Sequence, residues 1–401
     1  MTHPDFWDIY SFLNLFGGLA FFLFGMNTMS NGLAQLAGGS LEKTVKKMTA
    51  NDFVGFLLGA GITVAIQSSS AVTVMIVGLV NSGVMPFADT FGMILGSNVG
   101  TTLTAWITTL SGIQSGGNFF LALLEPATFA PVLAFIGIAM RMLSKSEKKA
   151  NTGLIFLGFA ILMSGMSMMS GAVASVKDSP FFINMLTAFE SPLIALLVSI
   201  VFTGIIQSSA ATVVIVQSLA LAGAMSYRVA IPLIIGANIG TCITALISAI
   251  GTNKEARKVV LLHIYINTLG GILCIALLYL GIMFNPAFLT GKVGVVGVAV
   301  VHSLFNILNA LLFLPLKKPL VKVCEKTVLG KKDETAIAFL DERVLNNIPI
   351  AIAECTRLKN EMSKLTADAV KKSLDMIFDF STDKFDEIIK TEAVIDEYEQ
   401  A

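Results

Sequence analysis

Nine apolar runs fill the chain between residues 11 and 316, at about 11–38, 53–80, 86–110, 119–143, 151–175, 191–221, 229–250, 259–284 and 293–315. A helix of about 20 apolar residues spans the ~30 Å hydrocarbon core of a bilayer. Charge follows the same division. Lys, Arg, Asp and Glu number 23 in residues 1–316 and 31 in residues 317–401. Two solvents are implied: an all-α integral membrane region comes first and a water-soluble helical tail follows. The net charge of +0 therefore says nothing about partners, and nucleic acid is not expected among them.

The N-terminus, "MTHPDFWDIY", has neither a basic n-region nor a clear cleavage site, so no removable signal peptide is expected. Cys242 and Cys274 lie in apolar runs, and Cys324 and Cys355 lie in the tail. No disulfide framework is indicated. The gaps at 41–52, 141–150, 253–258 and 317–326 are basic, and the others carry few Lys or Arg. The positive-inside rule makes those four gaps cytoplasmic. The N-terminus, 111–118, 176–190 and 285–292 then lie outside, and the C-terminus lies in the cytoplasm.

That orientation forces an oddity. Between residues 52 and 118 the chain must cross an odd number of times, yet two apolar runs lie there. The same holds between 190 and 252. One run of each pair must dip in and return. In each case the first run carries a polar patch, Gln67–Ser70 or Gln207–Ser209, with about a dozen apolar residues on either side. A helical hairpin that enters halfway, tip at the patch, satisfies both constraints.

The patches also belong to an internal repeat. At an offset of 140 residues, 16 of the 41 positions from 67 to 107 are identical. Gly18, Gly25, Met26 and Ser30 fall on Gly158, Gly165, Met166 and Ser170. With the orientation argument, the halves run through the membrane in opposite senses. Residues 1–150 and 151–284 are expected to be two inverted transmembrane repeats. Residues 285–325 are an extra transmembrane helix and linker, and 326–401 a cytoplasmic helical segment. Inverted repeats with interrupted helices are the usual build of a secondary transporter. A duplicated scaffold would retain apolar positions, whereas here the polar ones and the glycines match.

A hairpin tip in mid-membrane leaves backbone N–H and C=O groups unpaired, and the patch adds carboxamides and hydroxyls. Donors suit an anion, and neutral oxygens suit a small hard cation. A second duplicated element, "GSNVGTTLT" at 96–104 and "GANIGTCIT" at 236–244, reads as a short unwound stretch in each half. It places Asn98, Thr101 and Thr104, and Asn238, Thr241 and Thr244, in polar positions. Close helix packing through small residues is the alternative. No Lys or Arg lies in the middle of a run. A multivalent anion would therefore need bound cations, which argues for co-transport with Na+ on neutral oxygens. His263 with Asn267, and His302 with Asn306, are each one helical turn apart. They offer a proton relay or, more simply, an interhelical hydrogen bond.

Two QSS-type patches, each followed by a G-[SA]-N-[VI]-G-T stretch, resemble the sodium/phosphate cotransporter type II family over about residues 11–316. The resemblance implies Na+-driven uptake of inorganic phosphate, both hairpins meeting near the membrane centre. It implies that Gln207, Ser208, Thr241 and Thr244 line a Na+ site, with Gln67, Ser68, Thr101 and Thr104 as its counterpart. It implies that Ser69, Ser70, Ser209, Asn98 and Asn238 face phosphate. Ala210 stands where the first patch has Ser70, and Leu123 and Ala127 stand opposite His263 and Asn267.

In the tail, residues 335–401 show apolar positions every three or four residues. They resemble the opening of a PhoU-like helical domain, expected to be incomplete here. Such a tail offers a surface for a homodimer or a regulatory partner. Glu392 and Asp396 resemble the metal-binding E-x-x-x-D motif of that family; a solvated helix face is the simpler reading. An enzyme is not expected. The Ser patches lack the G-x-S-x-G context of a Ser hydrolase. Two rivals are a carrier for another small anion such as sulfate, and a phosphate sensor that binds without translocating.

Overall fold

The computed structural model describes residues 9–45, 51–83, 85–113, 125–177, 179, 189–284, 286–328 and 348–400. Among them the architecture is all-helical, and the β geometry is one isolated bridge between Ser226 and Lys292. The first half holds α1 (Ile9–Val45), α2 (Asp52–Ile66), α3 (Ser69–Asn81), α4 (Thr90–Thr109) and α5 (Pro126–Leu143). The second holds α6 (Glu147–Val176), α7 (Pro192–Ile206), α8 (Ser209–Leu221), α9 (Tyr227–Gly240), α10 (Cys242–Ser248) and α11 (Lys254–Phe284). Then come α12 (Pro286–Thr290), α13 (Val295–Phe313) and α14 (Lys317–Thr327), and in the tail α15 (Ile348–Asp375) and α16 (Thr382–Gln400).

Among the described residues five stretches are long and apolar enough to cross a membrane: Leu13–Leu36, Glu147–Ser175, Tyr227–Ser248, Lys254–Phe284 and Val295–Thr327. The expected runs at 53–80 and 191–221 are each divided into two helices, of 15 and 13 residues. At 1.5 Å per residue each is about 20 Å long, short of a full crossing. The offset of 140 recurs here, since α7 and α8 begin and end 140 residues after α2 and α3.

The two ends of each hairpin share one end of the bundle. Asp52, opening α2, pairs with Lys317 at 2.6 Å. Asn81, closing α3, accepts the Asn253 N–H at 2.7 Å. Thr327 and Tyr265 join α14 to α11. The second hairpin ends elsewhere. Lys177 donates to the Ala222 carbonyl at 3.4 Å, and Val293 N–H to Met225 at 3.0 Å.

Glycine decides the close packing. Along α1 and α6, a Cβ on Gly25 or Gly158 would overlap the facing backbone. The same contact joins α4 to α2, where Gly92, Gly96 and Gly100 sit against the carbonyls of Asp52, Phe56 and Ala60. Gly236 and Gly240 sit likewise against Leu196 and Ile200 of α7.

That packing corrects one expectation. The stretch 96–104 is not unwound, because α4 runs unbroken from Thr90 to Thr109. In the second half the interruption is one residue, Thr241, still right-handed at φ −63 and ψ −20. Glycine costs a helix about 1 kcal/mol relative to Ala in isolation. Here the backbone-to-backbone approach that only glycine permits offsets that cost. Many large apolar side chains remain exposed, among them Phe135, Leu143, Ile205 and Phe284, as a lipid-facing surface requires.

In the tail, Lys372 reaches Glu387 at 2.8 Å and Asp368 at 2.9 Å, pinning α15 to α16. The Glu387 and Asp368 carboxylates hold its ammonium above the ordinary lysine range. Glu392 and Asp396 lie four residues apart on α16, and no third His, Cys, Asp or Glu joins them among the described residues.

Candidate functional site at the two hairpin tips

Two residues make each tip. Gln67 closes α2 in the left-handed conformation, φ 55 and ψ 24, and Gln207 closes α7 at φ 58 and ψ 25. Among the described residues these are the two non-glycine positions with positive φ. A side chain there costs about 1–2 kcal/mol, and glycine is the usual choice. Glutamine at both tips means its carboxamide is wanted there. Each Gln N–H then closes its helix on a threonine carbonyl, Thr63 or Thr203, at 2.6 Å.

Serine restarts the chain. Ser68 and Ser208 are extended, and their hydroxyls accept the N–H of Ala71 and Ala211, each at 3.2 Å. This is ordinary N-capping, and it follows from local sequence. The cap takes one of the four unpaired N–H groups at each helix start and leaves others aimed outward.

The tips converge on one cavity of about 420 Å³. Gln67, Ser68, Ser69 and Ser70 line it from one side, Gln207, Ser208, Ser209 and Ala210 from the other, with Thr101 between them. Among the described residues no charged side chain lines it. The positive ends of α3 and α8 both open here, giving partial positive charge without a fixed cation.

A third wall comes from α1 and was missed by sequence reading. Asn27, Ser30 and Asn31 line the same cavity. The Asn31 side-chain amide donates to Asn27 Oδ1 at 2.9 Å, which leaves the Asn27 side-chain N–H groups available. Ser30 donates to the Ile66 carbonyl at the end of α2, holding the first tip to α1. The signal was present as polar residues at helical spacing inside an apolar run. No second copy flagged them, since Ser167 and Gly171 stand opposite Asn27 and Asn31.

Other expected site residues lie behind the cavity. Thr104 donates to the Gln67 side-chain oxygen at 3.0 Å. Asn98 donates to Asn267 on α11 at 3.2 Å, away from the tips. Asn238 bonds its own helix at Ile234, and Thr241 bonds the Asn238 carbonyl. Thr244 Oγ1 is buried and has no partner.

The family model described as Na+/Pi-cotransporter matches the chain twice, over residues 21–171 and 163–286. YqeW of Bacillus subtilis, an uncharacterized protein, is 32% identical over 313 residues, covering 74% of this chain and 92% of YqeW. YjbB of Escherichia coli strain K12, named provisionally for inorganic phosphate export, is 25% identical over 353 residues. That match covers 86% of this chain and 61% of YjbB, so the chain spans about three fifths of that relative. Sodium-dependent phosphate transport protein 2A of Oryctolagus cuniculus is 36% identical over 101 residues, 24% of this chain and 15% of that protein. No solved structure matches the chain.

Proposed function

Because the chain belongs to the Na+/Pi-cotransporter family, we propose that it is a secondary transporter coupling Na+ to inorganic phosphate across the bacterial plasma membrane. The observation that carries this reading is the shared cavity, where two strained Gln-Ser tips and two helix N-termini meet without a charged side chain. Phosphate would sit between the tips. Ser69, Ser70 and Ser209 offer hydroxyls, the starts of α3 and α8 offer N–H groups, and Asn27 offers an amide.

Sodium supplies the missing positive charge. The second half is the better Na+ site, with Gln207, Ser208, Thr241 and Thr244 as ligands. Thr244 carries a buried, unpaired hydroxyl and Gln207 is exposed. In the first half the equivalent pair, Thr104 and Gln67, is already bonded. Gln67, Ser68 and Thr101 are then secondary ligands. Asn98 and Asn238 position α4 and α9 rather than touch phosphate.

The hairpin ends support opposite entries. The first would enter from the basic, cytoplasmic side, near Lys317 and Asn253, and the second from the outer side, near Lys177 and Val293. Rocking one half against the other would open the tip cavity to each side in turn. With the usual inward Na+ gradient, the coupling drives phosphate in. A second reading, phosphate export, is favoured by the name of YjbB.

Radiolabelled phosphate flux in proteoliposomes tests all of this. Uptake that requires inward Na+, fails with an equal K+ gradient and survives excess sulfate supports the symporter. Efflux from loaded vesicles that ignores Na+ supports the exporter. Binding without flux in either direction would leave a sensor and remove both.

A further inference from the structure

The His–Asn pairs extend by one more position. On α11 the buried stripe is His263, Asn267 and Gly270, and on α13 it is His302, Asn306 and Asn309. The spacing, four residues and then three, keeps each stripe on one helix face. The stripes meet at Gly270, where a Cβ would overlap the Asn309 carboxamide. All five polar side chains are at most 5% exposed.

Their mutual hydrogen bonds are incomplete. Asn267 donates to the His263 carbonyl at 3.0 Å, and Asn306 to the His302 carbonyl at 2.9 Å. His263 Nδ1, both ring nitrogens of His302, Asn306 Oδ1 and Asn309 Nδ2 have no partner. Together with Thr244 Oγ1, they are all such buried side-chain atoms among the described residues. Leaving one buried group unsatisfied costs about 1–3 kcal/mol, so the four along one face of α13, on His302, Asn306 and Asn309, call for a ligand.

The chemistry of the set identifies that ligand. Asn309 Nδ2 donates, Asn306 Oδ1 accepts, and each neutral imidazole does both. Cys242 is the titratable neighbour, its Sγ 3.8 Å from the His263 carbonyl. No Asp, Glu, Lys or Arg is buried among the described residues. An anion would leave the acceptors unpaired, and a metal cation would leave the donors unpaired. Water serves both.

We infer that α13 borders a hydrated seam against α11, separate from the tip cavity, in which internal waters bridge His302, Asn306 and Asn309. Asn98 ties the seam to α4, which also carries Thr101 in the cavity and Thr104 against Gln67.

Deuterium exchange at histidine C2–H, read by mass spectrometry on the full chain in nanodiscs, tests the seam. The chain has three histidines, His3, His263 and His302, so each reports in its own peptide. In a hydrated seam His302 exchanges within about thirtyfold of the denatured chain, and in a dry one it is slower than that. The second outcome overturns the inference. His302→Leu and His302→Gln supply an independent reading. In a wet seam Leu strips partners from bridging waters and lowers Tm more than Gln does. In a dry seam Leu removes two orphaned nitrogens and leaves Tm equal or higher, which also overturns it. Should the Leu variant fail to fold, the exchange on the wild-type chain decides.

Discussion

The two hairpins have the same helix lengths, the same left-handed glutamine and the same serine cap, yet their tips are held differently. The Gln67 side chain is 6% exposed and bonded twice, to the Val64 carbonyl at 2.7 Å and to Thr104. Ser30 and the Thr63–Ser97 bond at 2.7 Å brace the same tip. Gln207 is exposed, its side chain has no hydrogen-bond partner among the described residues, and Thr244, the counterpart of Thr104, is unpaired. Thr203 bonds Thr212 within the second hairpin at 2.7 Å, and not the neighbouring helix. The first tip is held by side-chain bonds and the second is open. A duplicated motif has thus kept one local fold and divided its polar work between the copies.

The largest expected effect breaks the comparison at glutamine. Gln207→Gly should reduce Na+-dependent phosphate flux by about a hundredfold while raising stability by about 1 kcal/mol, because glycine relieves the left-handed strain and no bond is lost. Gln67→Gly relieves the same strain but forfeits two hydrogen bonds, so its stability should stay level or fall. Thermal melts of both in detergent check the sign, and equal shifts would sink the distinction between the held tip and the open one.

Packing sets the next scale, where the halves should behave alike. Gly96→Ala and Gly236→Ala each drive a methyl into a facing carbonyl, Phe56 or Leu196, and should each cost about 1–3 kcal/mol. A large cost in one half alone would contradict the shared packing. Threonine separates the halves again. Thr244→Val should weaken Na+ dependence about tenfold with little change in Tm, and Thr104→Val should lower stability by about 1 kcal/mol through its lost bond to Gln67. Na+ titrations of flux and parallel melts read both. The smallest effect belongs to the half-exposed pair of Asp52 and Lys317. Lys317→Met should change stability by no more than about 1 kcal/mol, and less in high salt.

Much of this was legible in the chain because it is local. A helix end followed by a serine cap needs only neighbouring residues, so the tips at Gln67–Ser68 and Gln207–Ser208 could be located before any packing was known. Repetition helped, since the 140-residue offset in sequence recurs in helix boundaries. The runs of apolar residues required a membrane-spanning helical class for the same kind of reason, as each helix satisfies its own backbone.

What the sequence by itself determined, then, is where helices start and stop, which stretches avoid water, and that two polar turns are related. The tertiary structure alone decided which faces meet. It turned Asn98 toward Asn267, brought Asn27 and Asn31 into the cavity, and kept α4 whole by setting its glycines against the carbonyls of α2. It also bonded Gln67 to Thr104 and left Gln207 exposed, although the two motifs read alike. Those outcomes depend on partners from several tens to more than a hundred residues away. Periodicity shows that a helix has a polar face, and only the packing of its neighbours shows what that face touches.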